Sequence, residues 1–309
     1  MTTTATERDP LAVGTEFPTR KVRVTDEYLG RYIEGIRAED NPWYLTDSPY
    51  GGPRLPACMF FYEPSDFADA KSGRKLRHHG EDRMPFNSGI EWWFYGPGEP
   101  GKTFTLDQRV IDRWLKRGRE WAIFEMRCKD DTGRLLAKCA FKESWAEPPV
   151  YDPPLRVEEG KSGELAADGS GELLGSLSRL YTFEMSAAFC RPNRDFHTDR
   201  ELARANGFAD VVLSGPQFTC QVAELMTRIF GRGFYEGGHL KLNFLKPVLA
   251  GETIDARVNV IERVKDDDGV ERVKVAVTCT NDEGVTTAGG IASARVIRED
   301  YSPGFRSAA

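Results

Sequence analysis

Two short patterns in this chain recur at nearly the same distance. Pro97 and Gly101 enclose three residues, and Pro247 and Gly251 do the same 150 positions later (247 − 97). Asp131-Thr132-Gly133 precedes Asp282-Glu283-Gly284 by 151 (282 − 131). Runs that alternate apolar and polar residues surround both sets. In the second half these are Leu240, Leu242 and Phe244; Ile254, Ala256, Val258 and Val260; and Val273, Val275, Val277 and Cys279. In the first half they are Phe104 and Leu106, Trp121 to Cys128, and Leu135 to Phe141. A period of two is the signature of a half-buried strand, and Asp268-Gly269 and Glu283-Gly284 supply the tight turns of an antiparallel meander. The repeat predicts an α+β fold of two modules, each with a helix packed on a long antiparallel β-sheet.

The expected boundaries are a polar N-terminus over 1–20, a first module over 21–147, a Pro-, Gly- and acid-rich linker over 148–176, a second module over 177–300 and a tail over 301–309. The helix of the second module is legible residue by residue. Val222, Leu225, Met226 and Ile229 fall at i, i+3, i+4 and i+7, Pro216 suits the first helical turn, Ser214 or Gly215 suits the cap, and Gly231 the stop. Its N-terminus presents backbone N–H groups with the positive end of the helix dipole behind them, where an oxygen gathering negative charge is held. His197, a proton-transfer group, precedes it by about twenty residues.

Composition narrows the function classes. The formal net charge of −6 comes with no basic stripe, which argues against nucleic acid as a partner. No apolar run reaches the length of a membrane span, and the opening residues lack the apolar core of a signal peptide, so a cytoplasmic location without a membrane partner is expected. The six cysteines show no C-x-x-C pair and read as buried thiols.

With these residues in place, the chain resembles the MaoC-like (R)-specific enoyl-CoA hydratase and dehydratase family, as a tandem, double hot-dog protein. The resemblance is carried in the second half by His197-Thr198-Asp199, Ala203-Arg204, Gly207-Phe208, Ser214-Gly215-Pro216 and the Phe244-Leu245-Lys246-Pro247 turn to Gly251. In the first half Asn41-Pro42-Trp43-Tyr44 and Glu91-Trp92-Trp93-Phe94 carry it. It implies a carbon–oxygen lyase that adds water to a trans-2-enoyl thioester or removes it from an (R)-3-hydroxyacyl thioester, the acyl group being carried by CoA or an acyl carrier protein. It implies no cofactor and no metal. Position by position, it makes His197 the acid/base and the Gly215 N–H the oxyanion donor, with Asp195 and Asn193 as further catalytic candidates. Ser214, Arg194, Phe218, Trp92 and Tyr44 are the substrate-binding candidates.

The motif of such proteins, Asp-x-Asn-Pro-x-His, is altered here, with Pro192 at the Asp position and Arg194 at the Asn position. In the first half Glu39 takes the Asp position and Tyr44 the His position, 153 residues before His197 (197 − 44). The resemblance implies that such a half is non-catalytic and shapes an acyl pocket. Two other readings follow from the altered motif: an acyl-thioester-binding partner subunit without chemistry, and an acyl-CoA thioesterase on the same fold. His78-His79-Gly80-Glu81-Asp82 carries metal-type residues, but adjacent histidines rarely share one tetrahedral ion. A homodimer and a monomer that pairs its own two modules both fit the repeat.

Overall fold

A computed structural model describes residues 11–61, 85–146, 148, 150, 153–159, 169–191 and 194–307. In chain order its elements are β1 (Arg20–Arg23), α1 (Asp26–Ile36), α2 (Pro42–Leu45), a 3-10 turn (Met59–Phe61), β2 (Phe86–Phe94), β3 (Thr103–Lys116), β4 (Arg119–Lys129), β5 (Leu135–Ala146) and β6 (Leu173–Leu180). There follow α3 (Phe183–Cys190), α4 (Arg200–Ala205), α5 (Gly215–Phe230), α6 (Arg232–Tyr235), β7 (His239–Phe244), β8 (Thr253–Lys265), β9 (Glu271–Asn281), β10 (Thr286–Arg295) and β11 (Phe305–Arg306).

The strands form one sheet in the order β1-β3-β4-β5-β2-β7-β10-β9-β8-β6-β11. The same arrangement occurs twice, β3-β4-β5-β2 and then β8-β9-β10-β7, and the copies meet edge to edge through antiparallel pairing of β2 with β7, from Gly89↔Asn243 to Trp93↔His239. The repeat extends to local geometry. β3 bulges between Val110 and Asp112 and β8 between Val260 and Glu262. Gly101 and Gly251 both have positive φ, as do Gly133 and Gly284, conformations in which a Cβ would be strained. The expected α+β double hot-dog architecture is therefore present, with the two sheets fused into one.

Helix α5 runs inside the fold. The predicted apolar face is fully buried at Val222, Leu225, Met226 and Ile229, but so are Gln217, Thr219, Gln221, Glu224 and Thr227, which an amphipathic surface helix would leave in water. Burying them requires partners. The Gln217 amide donates to the Gly35 carbonyl at 2.7 Å, tying α5 to the end of α1. The Gln221 amide donates to the carbonyls of Leu177 on β6 and Ile254 on β8, and its oxygen accepts from the Tyr181 hydroxyl. Glu224 pairs with Arg179 of β6 at 2.9 Å. The polar face thus pins the helix to its own sheet and to the first half. Strand β6 begins at Leu173, inside the stretch assigned to the linker from sequence. All six cysteines are buried thiols.

The seam carries an ion cluster on its outer face. Glu91 of β2 accepts from His239 at 2.8 Å and pairs with Lys241 at 3.2 Å, both on β7. Burial alone would push the Glu91 carboxyl up, but the His239 hydrogen bond and the Lys241 charge outweigh it and hold it below the usual carboxylate range. A lowered folded pKa contributes stability above the unfolded value, about 4.3, and loses it as the pH falls through the folded one. Glu91→Gln is therefore expected to cost about 0.2–1 kcal/mol at neutral pH. The gap between the two proteins' melting temperatures should close on acidification; a gap that persists at acid pH would contradict the assignment.

Candidate active site

The loop before α4 is built by Asp195. Its Oδ1 accepts the His197 backbone N–H at 2.9 Å, and its carbonyl accepts the N–H groups of Thr198 and Asp199 at 3.0 and 2.9 Å. The Ser186 hydroxyl of α3 donates to the His197 carbonyl at 2.8 Å, and the Val212 N–H donates to the Phe196 carbonyl at 3.1 Å. These bonds fix the backbone on both sides of the histidine. Its ring is fixed as well, because Nδ1 lies 2.5 Å from the Val212 carbonyl oxygen. A carbonyl only accepts, so Nδ1 carries the proton and the lone pair of the neutral ring resides on Nε2. Phe196 packs against the imidazole, with centroids 4.1 Å apart.

Val212 lies three residues before α5, so the histidine and the helix start are held by one short segment, at most about 10 Å of chain. That segment is clamped by the repeated turn. The Leu213 N–H donates to the Val248 carbonyl at 2.8 Å, and the Ala250 N–H donates to that of Val211 at 3.0 Å. Ser214 occupies the cap position and its carbonyl accepts from Gln217, but its side chain makes no capping bond to the helix. Pro216 has no N–H and that of Gln217 is taken by the Ser214 carbonyl, so the Gly215 N–H is the first-turn donor that the cap side chain leaves unconsumed and that has no intrahelical acceptor. Gly215 is required sterically. A Cβ there would stand 2.3 Å from Phe244 Cε2 and 2.7 Å from Cδ2. Phe244 is half-buried and meets the buried Phe218 edge to face at 5.0 Å. Gly215→Ala is expected to destabilise the chain by about 1–3 kcal/mol, read from the denaturation midpoint, with Phe244→Ala recovering most of it in the double variant. Strict additivity of the two costs would contradict the contact.

The remaining candidates lie apart. Arg194 is largely exposed and donates to Asp199, whose carboxyl is held below its usual range first by that bond and also caps α4. Asp195 spends one carboxylate oxygen on the loop. Asn193, like Pro192 and the His78-His79 pair, lies outside the described residues. Tyr44 is buried beside Thr227 and Tyr235, and burial, then Tyr235 and Glu224, push its hydroxyl well up. Thr227 stands about 18 Å along α5 from Gly215, twelve residues at about 1.5 Å each, so Tyr44 is not brought to His197. Trp92 is fully buried, stacks on Phe94 and pairs in register with Leu240, about 13 Å along β7 from Phe244 at about 3.3 Å per residue. The structure thus gathers His197, Ser214, Gly215 and Phe218, and adds the Val212 carbonyl and Phe244.

A concavity of about 580 Å³ elsewhere in the fold is lined by residues that include Tyr50, Arg54, Tyr95, Glu99, Arg134 and Glu236. Its charges are internally satisfied: Tyr50 donates to Glu236, Arg54 to the carbonyls of Tyr50 and Pro53, and Arg134 to Asp130. Among the described residues no cluster of His, Cys, Asp or Glu could hold a metal ion, and no helix is long and apolar enough to cross a membrane.

The sequence model of the MaoC-like domain matches residues 195–284, the stretch that contains His197, Gly215 and the Pro247 turn. The whole chain has the double hot-dog fold of several solved structures. A MaoC-like dehydratase from Phytophthora capsici superposes with a TM-score of 0.68 at 16% identity, over 95% of this chain and 99% of that one. A conserved hypothetical protein from Mycobacterium tuberculosis, described as having a double hotdog fold, gives 0.58 at 15% identity over 93% and 97%. A provisionally assigned oleoyl thioesterase from Lactobacillus plantarum gives 0.51 at 12% identity over 94% and 99%. Comparison with curated protein sequences yields no match. At these identities the superpositions define the architecture alone, and the family model is matched by one stretch of the second half.

Proposed function

We propose that this chain is a MaoC-like hydratase or dehydratase acting on acyl thioesters carried by CoA or an acyl carrier protein, with one site in the second module and a first module that shapes the acyl pocket. The observation that carries the reading is the pairing of a histidine, whose Nδ1–H is committed to the Val212 carbonyl, with an uncapped helix start three residues further on. In the hydration direction His197 Nε2 takes a proton from water as the water oxygen bonds to C3 of the enoyl group. The π electrons move to the thioester oxygen, which the Gly215 N–H steadies. The imidazolium then returns its proton to C2, giving the 3-hydroxyacyl thioester. Dehydration is the reverse. The loop position of the usual motif Asp is filled by Pro192, so the acid/base work falls on His197, and Asp195 acts by shaping the loop.

The test follows loss of enoyl-thioester absorbance over short, branched, dicarboxylic and polycyclic enoyl-CoA, with free thiol measured in the same samples and in parallel ones with saturated acyl-CoA. Loss of absorbance without thiol release is expected. Thiol release from saturated acyl-CoA would replace the lyase by a thioesterase, and binding without either signal would leave a non-catalytic partner subunit.

A further inference from the structure

The Phe244 ring packs against the Cα of the proposed oxyanion donor, and the proposed chemistry gives it no role. It reaches that position from the far end of β7, where Phe244 pairs with Ala288 of β10 and the neighbouring Asn243 pairs with Gly89 across the seam. Three features make it a wall rather than a mobile cover. Gly215 has no side chain, and the three atoms nearest to where a Cβ would stand all belong to this ring. Phe218, one turn into α5 and almost fully buried, braces it edge to face. Its backbone is held in register against Ala288 of β10, and the residue before it is paired on both sides. The ring nonetheless keeps part of its surface outside the core.

A thioester oxygen bound to the Gly215 N–H would lie about 2.9 Å from that nitrogen. The carbonyl carbon and its two neighbours, C2 and the sulfur, then fall within a few bond lengths of Gly215 Cα, and so beside the ring. We infer that Phe244 is a specificity-determining residue of the thioester site, restricting the substrate class to acyl thioesters unbranched at C2, because a methyl on that carbon would need the volume that the ring fills. The inference rests on the reading of Gly215 as the oxyanion donor. A close-packed wall with few voids responds to a single added methyl group, and discrimination of roughly 10–200-fold is the scale that such a difference supports.

The experiment uses the full chain and matched pairs of enoyl-CoA, straight and 2-methyl-branched, at short, medium and long chain length. Wild type, Phe244→Ala, Phe244→Leu and Phe244→Trp are compared by kcat/KM on each pair, with thermal melting as the folding control. The ratio of branched to straight substrate is expected to rise at least tenfold in Phe244→Ala, to rise less in Phe244→Leu and to fall in Phe244→Trp. A purely structural role would lower both substrates together, so a ratio unchanged in the folded variants overturns the inference while straight-chain turnover by the wild type keeps the lyase reading. A wild type that already prefers the branched partner also overturns it. If the wild type turns over no member of any pair, the lyase reading and the inference fall together.

Discussion

Exchanging His197 for asparagine is expected to lower kcat for enoyl-thioester hydration by about 10²–10⁴-fold, the usual contribution of a positioned general acid/base, while leaving the melting temperature nearly unchanged. Asparagine is the informative replacement because its amide N–H can take over the bond that Nδ1 makes to the Val212 carbonyl. The segment that links the histidine loop to the start of α5 then keeps its anchor, and only the basic Nε2 is lost. KM should change little, since the thioester oxygen is held by the helix backbone. Steady-state kinetics on the best wild-type substrate checks this. A variant that folds and turns over at the wild-type rate would remove His197 from the mechanism.

The largest effect on stability is expected at Glu224. Its carboxylate is fully buried and pairs with Arg179 at 2.9 Å and with Arg228 at 2.8 Å; the Arg179 side chain is only 4% exposed. Arg179 Nη1 already lacks a hydrogen-bond partner among the described residues. Glu224→Leu would strand the guanidinium in the interior, and breaking a buried pair in this way costs about 3–5 kcal/mol. That is a large share of the roughly 5–15 kcal/mol that separates most folded domains from their unfolded state. Adding Arg179→Met should recover most of the loss, because an apolar pair of similar volume has no charge to desolvate. Urea denaturation with an unchanged m-value is the measurement. A single variant as stable as the wild type would mean that water or Arg228 compensates.

The elements that could be read from sequence were those whose side chains advertise their surroundings. Ile254 to Val260 and Val273 to Cys279 alternate because one face of each strand is core and the other is not. The four apolar residues of α5 mark its face against the sheet. Strand β10 gives no such signal, and its sequence, TTAGGIASAR, explains why. It lies between β7 and β9 so closely that a Cβ on Gly290 would stand 1.8 Å from the Lys241 carbonyl oxygen, and small residues erase the alternation. Strand β6 was hidden for another reason. Its Gly175, Ser176 and Ser178 resemble linker residues, yet a Cβ on Gly175 would meet Ile229 Cδ1 at 2.7 Å, so the glycine serves helix packing. The burial of Gln217, Gln221 and Glu224 could not be anticipated from a period of 3.6, because their partners Gly35, Leu177, Ile254 and Arg179 come from distant parts of the chain.

The candidate site was legible to a similar degree. His197 and Gly215 stand out through residue type and neighbours, and both are held by the same clamped segment. Tyr44, placed by its offset from His197, shares the repeat but lies beside the far end of α5. Phe244 reads in sequence as the end of a strand before a turn, and nothing local reveals that it packs on a glycine twenty-nine residues earlier (244 − 215).

The measurement that bears most directly on the proposed chemistry is the fate of solvent oxygen. The protein is incubated with an enoyl-CoA in water enriched in heavy oxygen, and the products are resolved by mass spectrometry. Addition of water at the α5 N-terminus predicts one labelled oxygen in the hydroxyl of a 3-hydroxyacyl-CoA whose thioester is intact, and its absence with His197→Asn. Label found in a free carboxylic acid, with CoA released, would contradict the lyase reading.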